Sequence, residues 1–254
     1  MARIETLHEF KLRTEWFSKD SIHCNRGEFA TNGDLKKKVN PDGSLKTFET
    51  GEDGSRRLYR GNTVVFLLDG DCRERLVDIQ SKLYDYCGNL LAEPLNPSTF
   101  HTTLHDLKNG FLTPELEEQM AKSEAAAKPL LREIKASGVA RIRMKATYLF
   151  NMNNTSVVLG LAPADEDNCC RLMTLYELFQ NIEAIRLPYQ LTPHITMAYY
   201  RPDIYKEEEL KGLKRAIEEV NREVRQLKPL EVELNTERLV YQTFSDMNHY
   251  VTEE

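Results

Sequence analysis

The sequence predicts an α+β fold in which two duplicated β-α-β units form two similar lobes around a pseudo-twofold axis. Three observations predict it. Strand-like and helix-like segments alternate from about residue 60 onward, the chain matches itself after a shift of 93 residues, and 254 residues suffice for one large domain or two small lobes. Hydrophobic residues make up 41% of the chain and charged residues 29%, so we expect a globular core rather than wholesale disorder.

The first 60 residues differ from the rest of the chain. They hold two turn-forming stretches, and few apolar residues lie between them. We expect residues 1–60 to form an extension packed on the body, with a short helix near residues 5–17. Trp16 and Phe17 would anchor this helix, and a lid that contacts substrate is the alternative interpretation.

Residues 61–254 are expected to form the main domain, in which strands and helices alternate. Runs of β-branched and apolar residues predict strands, and apolar residues at helical spacing predict helices. Thr113 can cap a helix that has Pro114 in its first turn. The predicted strands cover residues 62–68, 99–105, 139–150, 155–161 and 192–200, with one or two more within residues 230–244. The predicted helices cover residues 72–91, 114–136, 165–185 and 206–227.

An internal repeat organises this domain. When the sequence is shifted by 93 residues without gaps, the first and second predicted strands fall on the fourth and fifth. The apolar positions of the intervening helix also match, since Leu76 falls on Cys169 and Leu83 falls on Tyr176. The repeat units cover about residues 61–107 and 154–200. Two such units can pack as lobes whose second strands face each other across a cleft.

The second strand of each unit carries a His-x-Thr triplet, with His101 and Thr103 in one and His194 and Thr196 in the other. Residues i and i+2 of a strand project from the same face, about 6.5 Å apart. A neutral imidazole can accept a proton from water or a hydroxyl, and a protonated imidazole can give one to a leaving oxygen. Threonine hydroxyls can hold the phosphoryl oxygens. The two pairs therefore predict an acid–base clamp for a phosphodiester that requires no metal or other cofactor.

The paired triplets and the doubled β-α-β unit resemble the two-histidine phosphoesterase superfamily over about residues 60–245. Residues 61–65 and the long N-terminal segment are most similar to its bacterial branches. The resemblance implies a bilobal α+β fold with antiparallel sheets lining a central cleft and helices outside. It implies metal-independent cleavage of 2′,3′-cyclic phosphates, or of 2′–5′ or 3′–5′ linkages, in small nucleotides or RNA ends. The two histidines would be the general acid and base, and the two threonines would bind phosphate.

Two further side chains are candidates for substrate binding. His105 shares the strand face of His101 if the strand runs on regularly, about 13 Å away, so it is expected at the rim or in contact with substrate. Tyr200 shares the face of His194, where it could stack on a base or bond a phosphate; packing in the core or at the rim is an equal alternative.

Arg141, Arg143 and Lys145 alternate along a predicted strand and form a basic stripe on one face. This stripe is expected either to be a solvated sheet face or to attract the phosphates of the substrate. The run of lysines at residues 36–38 is interpreted as a solvated face.

Composition excludes several classes of function. The net charge of −6 argues against a protein that coats DNA or RNA, and no apolar run is long enough for a membrane helix. The charged N-terminus and five cysteines without CxxC spacing favour a cytoplasmic protein with reduced thiols, and we expect a monomer.

Three alternatives to the metal-independent two-histidine phosphodiesterase remain. They are a non-catalytic nucleotide sensor with the same cleft, a metal hydrolase using His101, His105 and His194, and an interaction protein with a decayed repeat.

Overall fold

Two antiparallel sheets form the frame of the protein in a computed structural model, which describes residues 4–19, 26–51, 54–226 and 230–253. The strands are β1 (Phe48–Thr50), β2 (Arg56–Leu67), β3 (His101–Phe111), β4 (Arg141–Met152), β5 (Ser156–Pro163), β6 (His194–Tyr199), β7 (Glu231–Asn235), β8 (Leu239–Asp246) and β9 (His249–Glu253). The helices are α1 (Leu7–Lys19), α2 (Glu28–Thr31), α3 (Gly33–Lys38), α4 (Gly70–Cys87), α5 (Pro114–Ala136), α6 (Glu166–Gln180) and α7 (Glu207–Gln226).

The first sheet has five strands and the second has four. In the first, β2 pairs with β3 on one side and with β8 on the other, while β9 follows β8 and β1 pairs with the start of β2. In the second, the order is β6-β5-β4-β7. Every pairing is antiparallel, and the fold is the α+β arrangement predicted from the sequence. None of the described helices is long and apolar enough to span a membrane.

The predicted duplication is visible in the order of the elements. In the unit β2-α4-β3 both strands belong to the first sheet, and in the unit β5-α6-β6 both strands belong to the second. Thr113 accepts a hydrogen bond from the backbone N–H of Leu116, which caps α5 as predicted. In the C-terminal region β7 and β8 are the strands expected within residues 230–244, and β9, beyond residue 244, is a strand that was not predicted.

The N-terminal segment is joined to both halves of the molecule. Phe29 is fully buried and stacks on Tyr205 at a centroid distance of 4.4 Å. Asn32 Nδ2 donates a hydrogen bond to the carbonyl oxygen of Asn153, in the turn between β4 and β5. Strand β1 and the start of β2 lie before residue 60, so the first sheet extends into the segment that the sequence separates as an extension. The side chains of Trp16 and Phe17 lie outside the described residues, and their predicted anchoring role is not tested.

Gly61 lies where two strands and a ring of the cleft wall approach closely. A Cβ atom at this position would lie 2.1 Å from Cζ of Phe244 and 2.8 Å from Cβ of Asn109. Gly212 is the opposite case, because it lies within α7 and a Cβ atom there meets nothing within 4 Å.

We therefore predict opposite effects for two Gly→Ala substitutions. Gly61→Ala should lower the free energy of unfolding by about 1–3 kcal/mol, since the rigid ring of Phe244 must move. Gly212→Ala should raise it by about 0.5–1 kcal/mol, because alanine restricts the unfolded chain and favours helix. Chemical denaturation of both variants measures this pair of effects, and equal stability of Gly61→Ala and the wild type would contradict the packing described here.

Candidate active site

A cleft of about 540 Å³ opens between the sheets, at the point where β3 and β6 begin. His101 and His194 are the first residues of these two strands. Both histidines, together with Thr103 and Thr196, line this cleft. The structure thus brings together the four residues that the sequence assigns to the chemistry.

Each histidine is held by the same local contact. Nδ1 of His101 lies 2.7 Å from the carbonyl oxygen of Thr99, and Nδ1 of His194 lies 2.7 Å from that of Thr192. A carbonyl oxygen can only accept a hydrogen bond, so Nδ1 carries the proton in both rings. In the neutral rings Nε2 is therefore the basic nitrogen, and in the protonated rings it is the second donor.

Burial lowers the pKa of both histidines below the ordinary value of 6.5. The hydrogen bonds to the carbonyl oxygens of Thr99 and Thr192 act in the opposite direction, because they favour the charged rings. The charge of His194 lowers the pKa of His101 further, which is consistent with two imidazoles close together in one cleft. Burial thus favours the neutral form of both rings.

A β-bulge follows the His-x-Thr triplet in each lobe. In β3 the register slips between Thr103, opposite Val65, and His105, opposite Val64. In β6 it slips at the equivalent place, between Thr196 and Ala198. Each bulge inserts one extra residue, which reverses the alternation of side chains along the rest of the strand.

The reversal places two unpredicted side chains in the cleft, Asp106 and Tyr199, which are 93 residues apart and so equivalent in the repeat. Asp106 accepts a hydrogen bond from the hydroxyl of Tyr189 at 3.1 Å, and its charge raises the pKa of both His101 and His194. The repeat relates Asp106 to Tyr199 in the sequence, but only the bulges turn them toward the site.

His105 and Tyr200 lie away from the cleft for the same reason. His105 is 1% exposed, its Nδ1 lies 2.8 Å from the carbonyl oxygen of Asp106, and its ring packs against Phe179 of α6. Tyr200 is fully buried and contacts Phe29 at a ring distance of 4.6 Å. The prediction that each of them shares a strand face with His101 or His194 differs from the structure, because it assumed strands without bulges.

The basic stripe of β4 also lies away from the cleft. Arg141, Arg143 and Lys145 are exposed, and none of them lines the cavity. Arg143 pairs with Asp165 at 3.1 Å and Arg141 with Glu233 at 3.6 Å. The positions of these three side chains agree with the first interpretation of the stripe, a solvated face of the sheet.

Other cleft residues come from the last hairpin and from the N-terminal segment, for which contact with substrate was only the alternative interpretation. Tyr250 of β9 lies edge-on to His101, at a ring distance of 5.1 Å. Lys37 and Lys38 of α3 line the cleft, whereas the sequence predicts that the run of lysines is solvated. No local pattern marks these residues, since their positions depend on how the N-terminal segment and the last hairpin fold back.

No family model matches the sequence, and no curated protein sequence matches it. Solved structures do match. A conserved protein of unknown function, ATU0111 from Agrobacterium tumefaciens str. C58, is 16% identical with a TM-score of 0.60, covering 91% of this chain and 98% of its own. E. coli LigT complexed with 3′-AMP is 11% identical with a TM-score of 0.44, covering 77% of this chain and 96% of its own.

A further structure, described as a phosphoesterase, is 11% identical with a TM-score of 0.44 and covers 77% of this chain and 95% of its own. At 16% identity, the likeness to ATU0111, with its TM-score of 0.60, shows the fold alone.

The geometry predicts a bell-shaped dependence of kcat/KM on pH for a substrate whose cleavage limits the rate. One imidazole must be neutral and the other protonated, so activity falls when both are protonated and when both are neutral. Because both pKa values are lowered, the maximum should lie on the acid side of 6.5. Steady-state rates across the pH range measure this, and a flat profile between about pH 5 and 9, or a maximum above about pH 7, would contradict it.

Proposed function

We propose that this protein is a phosphodiesterase that uses two histidines and no metal, acting on 2′,3′-cyclic phosphates or on 2′–5′ or 3′–5′ linkages of small nucleotides or RNA ends. One observation carries the proposal. Two His-Thr pairs, from equivalent strands of a repeat, enter one cleft with Nδ1 of both rings bound to backbone. This arrangement supplies two proton-transfer groups and two hydroxyls around one ligand.

In the proposed mechanism the substrate phosphorus lies between His101 and His194. Nε2 of one ring accepts a proton from the attacking water as the new P–O bond forms. Nε2–H of the other ring protonates the ribose oxygen as its bond to phosphorus breaks. Thr103 and Thr196 donate hydrogen bonds to the non-bridging oxygens, where negative charge increases in the transition state. A 2′,3′-cyclic phosphate would open to a phosphomonoester, and proton exchange with water would restore the enzyme.

The size and lining of the cleft suit a nucleotide. A cavity of about 540 Å³ lies in the range of small-molecule sites. Its wall is rich in aromatic rings that can stack on a base. The aromatic side chains are Tyr59, Phe100, Tyr176, Tyr189, Tyr199, Phe244 and Tyr250.

A metal hydrolase built from His101, His105 and His194 has less support. His105 lies in the core against α6, away from the cleft that holds the other two. Within the described ranges, no three His, Cys, Asp or Glu side chains are grouped so that they could hold a metal ion. A non-catalytic nucleotide-binding module would use the same cleft, so only an activity measurement separates it from the enzyme.

The test is hydrolysis of the four 2′,3′-cyclic nucleotides in EDTA. His101→Ala and His194→Ala should each lower kcat by at least about a hundredfold, because each removes one proton-transfer group. His8→Ala is the matched control, since this histidine is exposed and lies outside the cleft, and its rate should equal that of the wild type.

Two results would overturn the mechanism: loss of wild-type activity in EDTA, or near wild-type rates in either cleft variant. Nucleotide binding without turnover of cyclic phosphates or of 2′–5′ and 3′–5′ dinucleotides would favour the binding module instead.

A further inference from the structure

The substrate of the proposed function is an anion, and two lysines from outside the repeat line the cleft. Burial favours the neutral forms of His101 and His194, and the threonine hydroxyls carry no charge. Among the described residues that line the cleft, the other cationic side chains are Lys37 and Lys38, both on α3 of the N-terminal segment. Besides the one imidazolium that the proposed mechanism requires, the positive charge of the cleft therefore comes from outside the repeat.

Lys38 lies on the His194 side of the cleft. Its Nζ is 5.3 Å from the centroid of the Tyr199 ring, and Tyr199 lies three residues after Thr196 on β6 and lines the same cleft. Burial lowers the pKa of His194 most, the hydrogen bond to Thr192 and the charge of Asp106 raise it, and the charge of Lys38 lowers it by the smallest of these effects. Lys38 thus lines the same part of the cleft as the threonine that we propose holds a phosphoryl oxygen.

The neighbouring lysines differ from Lys38. Lys37 is paired with Asp34 at 3.1 Å, three residues earlier on the same helix. Lys36 is exposed and does not line the cleft. Within the part of the chain that the structure describes, Lys38 forms no salt bridge with a carboxylate, so its charge remains available to a ligand.

The backbone around Lys38 is fixed rather than loose. Leu35 and Val39 on either side of it are buried in the core. The carbonyl oxygen of Lys38 accepts a hydrogen bond from the backbone N–H of Lys46 at 2.7 Å. Asn32 caps α3 through the N–H of Leu35. A long side chain on such a support reaches the cleft at small cost in backbone entropy.

We propose that Lys38 is a substrate-binding residue, whose ammonium donates a hydrogen bond to the non-bridging phosphoryl oxygen held by Thr196. Substrate turnover through this contact rests on the proposed function, but anion binding does not. The N-terminal segment thereby becomes part of the active site and selects for substrates with a charged phosphate.

The test compares Lys38→Met, Lys38→Arg and the control Lys36→Met, each in the full chain. Titration calorimetry with inorganic phosphate gives Kd, and hydrolysis of the best cyclic nucleotide gives KM and kcat. Lys38→Met should raise both Kd and KM by at least about tenfold, since a hydrogen bond between charged groups is lost. Lys38→Arg should bring Kd and KM most of the way back to the wild-type values, and Lys36→Met should match the wild type in both.

The outcomes separate the two proposals. Wild-type turnover with unchanged Kd and KM in Lys38→Met overturns the role of Lys38 and leaves the enzyme mechanism standing. An equal rise of Kd and KM in Lys36→Met also overturns the role of Lys38, because the effect then comes from the net charge of the protein. If the wild type turns over no substrate, the proposed phosphodiesterase function is wrong. The Kd for phosphate of Lys38→Met and of the wild type then still decides the role of Lys38. Circular dichroism verifies that each variant is folded, and Lys38→Gln replaces the methionine variant if that one is not.

Discussion

The hydrogen bond between each histidine Nδ1 and the carbonyl oxygen two residues before it is the contact on which the site depends. It fixes the tautomer and the orientation of the ring together, so that Nε2 of His101 and of His194 is the atom left for substrate. Because the two strands are equivalent parts of a repeat, one local contact made twice orients two imidazoles in the same way in a single cleft. The burial of both rings favours neutral imidazoles.

Much of this arrangement could be predicted because it is periodic. Strands and helices follow the 2.0 and 3.6 residue periods of the apolar side chains, and the 93-residue repeat pairs the two His-Thr strands. The bulges after Thr103 and Thr196 could not be predicted in this way, since a bulge changes the face of a side chain without changing the composition of the strand. For this reason Asp106 and Tyr199 occupy the places in the cleft that the sequence suggested for His105 and Tyr200.

The N-terminal segment shows a second limit of prediction. Its docking depends on long-range contacts such as that of Phe29 with Tyr205, which no local pattern reveals. The run of lysines looks like a solvated face, and for the exposed Lys36 this interpretation fits the structure. Lys38 differs only because the helix that carries it lies beside the cleft. The net charge of −6 is therefore compatible with an anionic ligand, since one well-placed ammonium acts locally.

The most direct measurement of the central claim is a ¹H–¹⁵N spectrum of the histidine rings of labelled protein, with and without inorganic phosphate. The resonances are assigned with His101→Gln and His194→Gln. Both rings should carry the proton on Nδ1 at a pH where they are neutral, and both Nε2 signals should shift when phosphate is added. A ring with its proton on Nε2, or a response from only one of the two, would contradict an acid–base pair built around one phosphate.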